Sequence, residues 1–285
     1  MNVFSYRRLL LCTLLVWGGF AGWARAGELV SLYEFGADEM GYLSLPETQP
    51  QGSILMVPDA FGPRGVVQQR CDLMAKLGYV TLVVDLYNGT ASENSEVADR
   101  LQRKLEREVA VPAIQAGIKL LSESPRYETD TLIVAAWGEN FPLVFEAAAG
   151  MKTFTPDAVS WLEPEGLQGL TATTTHRVPL QLVLRQETLG ETNQAGLTRF
   201  NQLRDMDGEI TIIDQQRGFL LNPKSTPEGV EGWTALIDFW QKVVDGGYTP
   251  QVIAGGEALR GALAAPEVVP PAAETRTRPK HPRLN

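Results

Sequence analysis

The stretch Thr131-Leu-Ile-Val-Ala-Ala-Trp-Gly-Glu-Asn-Phe-Pro142 constrains this chain more than any other. Leu132 to Trp137 is apolar without alternation, a break falls at Gly138, and Leu143 to Ala149 takes up helical spacing. An apolar run with no polar face reads as a strand buried on both sides. That is the situation of a parallel strand covered by helices. The residue at the break then sits on a tight turn between strand and helix.

The same grammar recurs along the chain. Glu28–Tyr33 and Met40–Leu45 alternate and predict a leading pair of strands. Ser53–Val57 is a buried strand ending in Pro58-Asp59-Ala60-Phe61-Gly62. The helix after it carries Val66, Val67, Cys71, Leu73, Met74 and Leu77 and stops at Gly78. Tyr79–Val84 is the next strand, ending in Asp85-Leu86-Tyr87. Thr90 and Glu93 have the spacing of a capping box for a long helical region, and Pro112 marks a second helix with Ile114, Ile118 and Leu121 inward. Beyond the central stretch come strands at Ala158–Leu162, Leu180–Leu184 and Glu209–Ile213, and helices at Asn193–Asp205 and Gly229–Val244. Strands alternating with helices predict an α/β fold: a mostly parallel sheet with helices on both faces.

The ends read differently. Met1–Ala26 has a basic start at Arg7 and Arg8, an apolar run from Leu9 to Val16, and Ala24-Arg25-Ala26 before Gly27. This is the pattern of a cleaved secretory signal. It predicts a periplasmic or extracellular protein with no stable membrane insertion after cleavage. Residues 27–256 form one predicted domain, and 257–285, rich in proline and poor in bulk, a flexible tail. Without residues 1–26 the chain has 22 basic against 34 acidic side chains, a formal charge of −12. Such a surface repels nucleic acid. Cys71 is then the only cysteine, so no internal disulfide can form, and no cluster of His and Cys exists to hold a metal.

Five phrases in order resemble the dienelactone hydrolase family of α/β-hydrolases: Gly41-Tyr-Leu-Ser-Leu-Pro46, Ile54–Gly62, Leu77–Tyr87 with its Asp-Leu-Tyr ending, Pro156–Trp161, and Gly218-Phe219. The resemblance spans about Gly41 to Val243. It implies the α/β-hydrolase fold and hydrolysis of esters or lactones by a Cys or Ser, an Asp and a His, with no cofactor. In that fold the strand–turn–helix is the nucleophile elbow, G-x-S-x-G or its Cys form. Here the frame reads Ala136-Trp137-Gly138-Glu139-Asn140, so the nucleophile seat falls on Gly138. The acid seat falls on Thr188, with Glu187 one residue out of register. The histidine seat falls on Arg217, which stays protonated and cannot accept a proton near neutral pH. His176 lies at the entry end of a strand and His281 in the tail, both away from the strand exits where such sites lie.

The resemblance implies that backbone donors survive: an oxyanion hole from Glu139 N–H with Ala60 or Phe61 N–H, at a positive helix end. The Glu139 side chain could instead take up those donors. In the resembled family the acid at Asp59 contacts the nucleophile; without a nucleophile, Asp59 is expected to cap the helix after Gly62 or fix a turn. Arg217 is open to pairing with Asp59 or Glu139, to holding a ligand carboxylate, or to lying exposed. Trp137 fills the aromatic slot beside the nucleophile and is expected to pack beneath the turn. Three functions remain in play: a non-catalytic protein binding a small ligand or a protein partner through the old cleft; a hydrolase in which Asp59 and Glu139 activate water; and an interaction module working through its tail or an apolar rim.

Overall fold

The computed structural model describes residues 27–61, 64–127, 129–151, 156–163, 179–185, 208–213 and 231–247. All of them fall in one compact unit, Met1–Val252. The strands are β1 (Glu28–Ser31), β2 (Met40–Ser44), β3 (Gly52–Val57), β4 (Tyr79–Val84), β5 (Leu132–Trp137), β6 (Ala158–Leu162), β7 (Leu180–Arg185) and β8 (Gly208–Ile213). The described α-helices are α1 (Arg64–Lys76), α2 (Ser95–Lys104), α3 (Arg107–Glu123), α4 (Phe141–Gly150) and α5 (Glu231–Val244).

The strands form one sheet in the order β1-β2-β4-β3-β5-β6-β7-β8. β2 runs antiparallel to both neighbours, and every pairing from β4 through β8 is parallel. The continuous apolar runs have the expected cause: every residue of β3, β4, β5 and β6 is buried. Alternate side chains serve opposite faces. Ile54, Met56, Ile133, Ala135 and Trp137 join Val67, Cys71 and Met74 of α1 and Trp233, Leu236, Phe239 and Trp240 of α5 in one core. On the other face α3 comes so close that a Cβ on Gly117 would lie 2.9 Å from both Leu55 Cδ1 and Val84 Cγ2. The buried Cys71 thiol donates to the Thr81 carbonyl at 3.1 Å and packs as a small apolar group, as expected.

Two local expectations need correction. Thr90 and Glu93 do not cap α2. Asn94 does, its Oδ1 accepting the Val97 N–H at 3.1 Å, because the helix starts at Ser95 and only Asn94 is one residue ahead of it. Pro112 does not open α3 but lies inside it, five residues past its start at Arg107. Ile114, Ile118 and Leu121 are buried as expected. Asn88-Gly89 is a turn, with φ of +49° and +74° and the Thr90 N–H bonded to the Tyr87 carbonyl. The expected helix at Asn193–Asp205, the signal and the tail from 257 lie outside the described residues. Among the described residues, no helix is long and apolar enough to cross a membrane.

Candidate functional site

The exit end of β5 leads into Gly138. β5 ends at Trp137, a 3-10 turn covers Gly138–Asn140, and α4 follows. Gly138 has φ +50°, in the left-handed region. A residue with a side chain holds that conformation at a cost of roughly 1–2 kcal/mol. The sharp strand-to-helix turn is therefore intact at the predicted seat, and the seat holds no side chain. The Trp161 indole N–H donates to the Gly138 carbonyl at 2.7 Å and holds the turn from β6.

Asp59 closes the space a side chain would enter. It follows β3, the strand beside β5, and a Cβ built on Gly138 would lie 3.0 Å from Asp59 Oδ2. Asp59 Oδ1 accepts the Phe61 N–H at 3.0 Å. Asp59 fixes its own turn with one oxygen, as expected, and its other oxygen faces the seat. The Phe61 N–H, one of the expected oxyanion donors, is already engaged by that carboxylate. Ala60 is buried, with its carbonyl bonded to the Ser92 N–H. Glu139 is exposed at the first step of the turn. Trp137 is buried in the core beneath the turn, and its indole N–H has no hydrogen-bond partner among the described residues. Thr188, Arg217, Glu187, His176 and His281 lie outside the described residues.

Four participants escaped the sequence reading. Asn140 has the composition of a helix cap, yet its side chain caps nothing. Its Nδ2 donates to the Pro58 carbonyl at 2.7 Å and to the Tyr87 hydroxyl oxygen at 2.9 Å. Tyr87 donates to Gln102 Oε1 at 2.5 Å, and Gln102 Nε2 donates to Asn140 Oδ1 at 2.7 Å, closing a ring. Burial pushes the Tyr87 phenol well above its ordinary value, the hydrogen bond received from Asn140 opposes this, and the Asp59 charge adds to it. It therefore stays protonated and donating. This ring ties the ends of β3 and β4, helix α2 and the elbow together.

Glu163 is the fourth. It directly follows β6, one step past the register pair Trp137↔Leu162, and it is buried with φ +49°. A non-glycine residue there marks a constrained position. Position in the fold was the available signal: Asp59, Glu163 and Asp85 all stand at strand exits.

Beside the seat lies a pocket of about 490 Å3, open mouth included, lined among others by Tyr42, Asp59, Phe61, Val67, Asp85 and Tyr87. Asp85 holds its own loop through the N–H groups of Tyr87 at 3.2 Å and Gly89 at 3.0 Å. Asp59 and Asp85 bring two carboxylates to a lining that is otherwise mostly apolar. Among the described residues, no group of three His, Cys, Asp or Glu is placed to hold a metal ion.

The strand order, the lone reversed strand and the elbow with its left-handed residue place this chain in the α/β-hydrolase class. Residues 40–151 match the model of the dienelactone hydrolase family. Over those residues the chain is similar to that family, and its fold is that of the α/β-hydrolases. Among solved structures it is similar to a protein called m3DLH, at 15% identity and a TM-score of 0.58, covering 79% of this chain and 100% of the other. A dienelactone hydrolase-like promiscuous phosphotriesterase from metagenomic libraries matches at 14% identity and a TM-score of 0.57, covering 76% of this chain and 98% of the other. Dienelactone hydrolase from Anabaena variabilis ATCC 29413 matches at 13% identity and a TM-score of 0.52, covering 78% and 99%. At such identities the likeness establishes the fold. No curated protein matches the chain.

Proposed function

We propose that this is an exported dienelactone hydrolase-like protein without hydrolase activity, which binds a small molecule in the cleft over Gly138 and the adjoining pocket. One observation carries the reading: the elbow keeps its backbone shape while its central residue is glycine. Covalent hydrolysis on this fold needs an oxygen or sulfur nucleophile at that seat, and general-base help from a histidine. Gly138 offers no such atom, and the histidine seat reads Arg217. Export rests on the signal pattern of residues 1–26.

The cleft chemistry favours one kind of ligand over another. Asp59 presents Oδ2 toward the seat, the Phe61 N–H is engaged, and Asp85 stands on the pocket wall. Carboxylates there can accept hydrogen bonds from hydroxyl or ammonium groups. Phe61, Val67 and Tyr42 supply apolar contact. The ligand class is therefore a neutral or cationic molecule with an apolar body and donating polar groups.

The test has two arms. Purified protein is expected to leave a fluorophosphonate probe unreacted and to show no turnover of nitrophenyl esters or lactones. Turnover that survives Gly138→Ala would overturn the assignment of the seat. In a thermal-shift panel, neutral and amine-bearing apolar compounds are expected to raise Tm, and Asp59→Asn to weaken the amine-bearing ones selectively. Preference for carboxylates over their amine counterparts would sink the ligand class. Capture of a protein partner with no small-molecule shift would favour the partner alternative.

A further inference from the structure

The carboxylate of Asp72, on α1, is the meeting point of three neutral donors. The Gly27 N–H donates to Oδ1 at 3.0 Å. The Tyr42 hydroxyl reaches both oxygens at 3.1 Å, and the Ser44 hydroxyl donates to Oδ1. Among the described residues no Lys, Arg or His makes an ion pair with Asp72. A part-buried carboxylate that gathers three neutral donors is a ready acceptor for a cation.

Position 27 is shaped for glycine and for little else. A Cβ there would lie 2.6 Å from Tyr42 Cε1 and 2.7 Å from the Leu43 carbonyl oxygen, and would press on Ser44 Oγ. The Leu43 contact is backbone and cannot rotate away. The Gly27 nitrogen is thus held against Asp72 by packing as well as by its hydrogen bond. In the sequence this nitrogen directly follows Ala24-Arg25-Ala26.

We propose that the Ala26–Gly27 bond is cut during export and that the Gly27 α-ammonium so released is the cation that Asp72 is built to hold. The inference rests on the export reading. The step is a hydrolysis by a signal-processing protease: water adds across the amide, leaving a carboxylate on Ala26 and an ammonium on Gly27. The ammonium keeps the existing bond to Oδ1, adds two donors and brings a full positive charge to the carboxylate. No side chain has to move. Tyr42 carries the consequence to the cleft, since its hydroxyl binds Asp72 and it lines the pocket beside Asp59. β1 follows Gly27 directly and pairs with β2, so the same anchor pins the edge of the sheet. Processing then does more than free the chain: it completes an ion pair that fixes one pocket wall.

The full chain is exported from a cell and its N-terminus read by mass spectrometry; Gly27 is expected, and any other first residue overturns the processing site. A chain that stays inside the cell sinks the export reading, and the socket is still read by the next comparison. The mature chain with a free Gly27 amine is compared with the same chain acetylated at that amine. The acetylated form is expected to lose roughly tenfold in its folded-to-unfolded ratio, the size of one charge-assisted bond. Asp72→Asn is expected to abolish that difference. Equal stability of the free and acetylated chains overturns the socket and leaves export and the cleft untouched. A second measurement needs no variant: the native Gly27 amine is expected to react with an acylating reagent roughly tenfold more slowly than in the urea-unfolded chain, as protection by one such bond implies. Equal rates would also overturn the socket.

Discussion

At Gly138 any side chain meets two penalties at once. The backbone φ is +50°, and the first carbon would sit 3.0 Å from Asp59 Oδ2. Gly138→Ala is therefore expected to destabilise the protein by about 1–2 kcal/mol from the left-handed conformation alone. Asp59→Ala in the same chain should return only the part due to the contact. Urea unfolding of the two single variants and the double variant separates the terms, and additive single effects would show that the contact contributes nothing. The turn was legible in the sequence because the apolar run, the break and the helix after it locate it to the residue. The role of Asn140 was not. A residue of capping type before a helix reads as a cap, and only the fold brings Pro58 and Tyr87 within reach of its amide.

At the level of elements, helix ends were the least legible features. Thr90 and Glu93 have the right spacing for a cap, but α2 starts later and Asn94 takes that place. Asn94→Ala is expected to cost about 1 kcal/mol, with Glu93→Ala close to neutral. Chemical denaturation of both variants checks this; equal effects would return the cap to the earlier pair. The reason is physical: several polar residues in a row can each satisfy the first free N–H groups, and packing of the following turns decides which one does. The last helix, α5, shows the opposite case. Trp233, Leu236, Phe239 and Trp240 read as one face in the sequence and are all fully buried. What could not be read is that the Trp240 indole N–H donates to Ser160 Oγ on β6, at 2.9 Å, a contact across 80 residues of chain.

For the molecule as a whole, the alkaline limit of stability follows from two phenols. Burial pushes Tyr42 up to about 12, with Asp72 adding to the effect, and burial pushes Tyr79 up to about 12, with the Asp245 charge adding to it. An unfolded tyrosine titrates near about 10. Between those values the folded chain binds more protons than the unfolded one, so stability is fully present below about pH 10 and falls as pH rises toward about 12. Urea midpoints across that range, with phenolate absorbance at 295 nm, check it; a flat profile would mean the phenols titrate as they do in free chain. The sequence by itself determined the α/β class, the order of the strands along the chain and the sharp turn at Gly138. Those features are written in local periodicity and in single residue identities, which need no knowledge of distant neighbours. Only the tertiary structure decided the spatial strand order, the Asp59 wall, the Tyr87–Asn140–Gln102 ring and the hold of Asp72 on Gly27. Each of these joins residues far apart in the chain, and no local pattern encodes which side chains a folded sheet will carry to the same place.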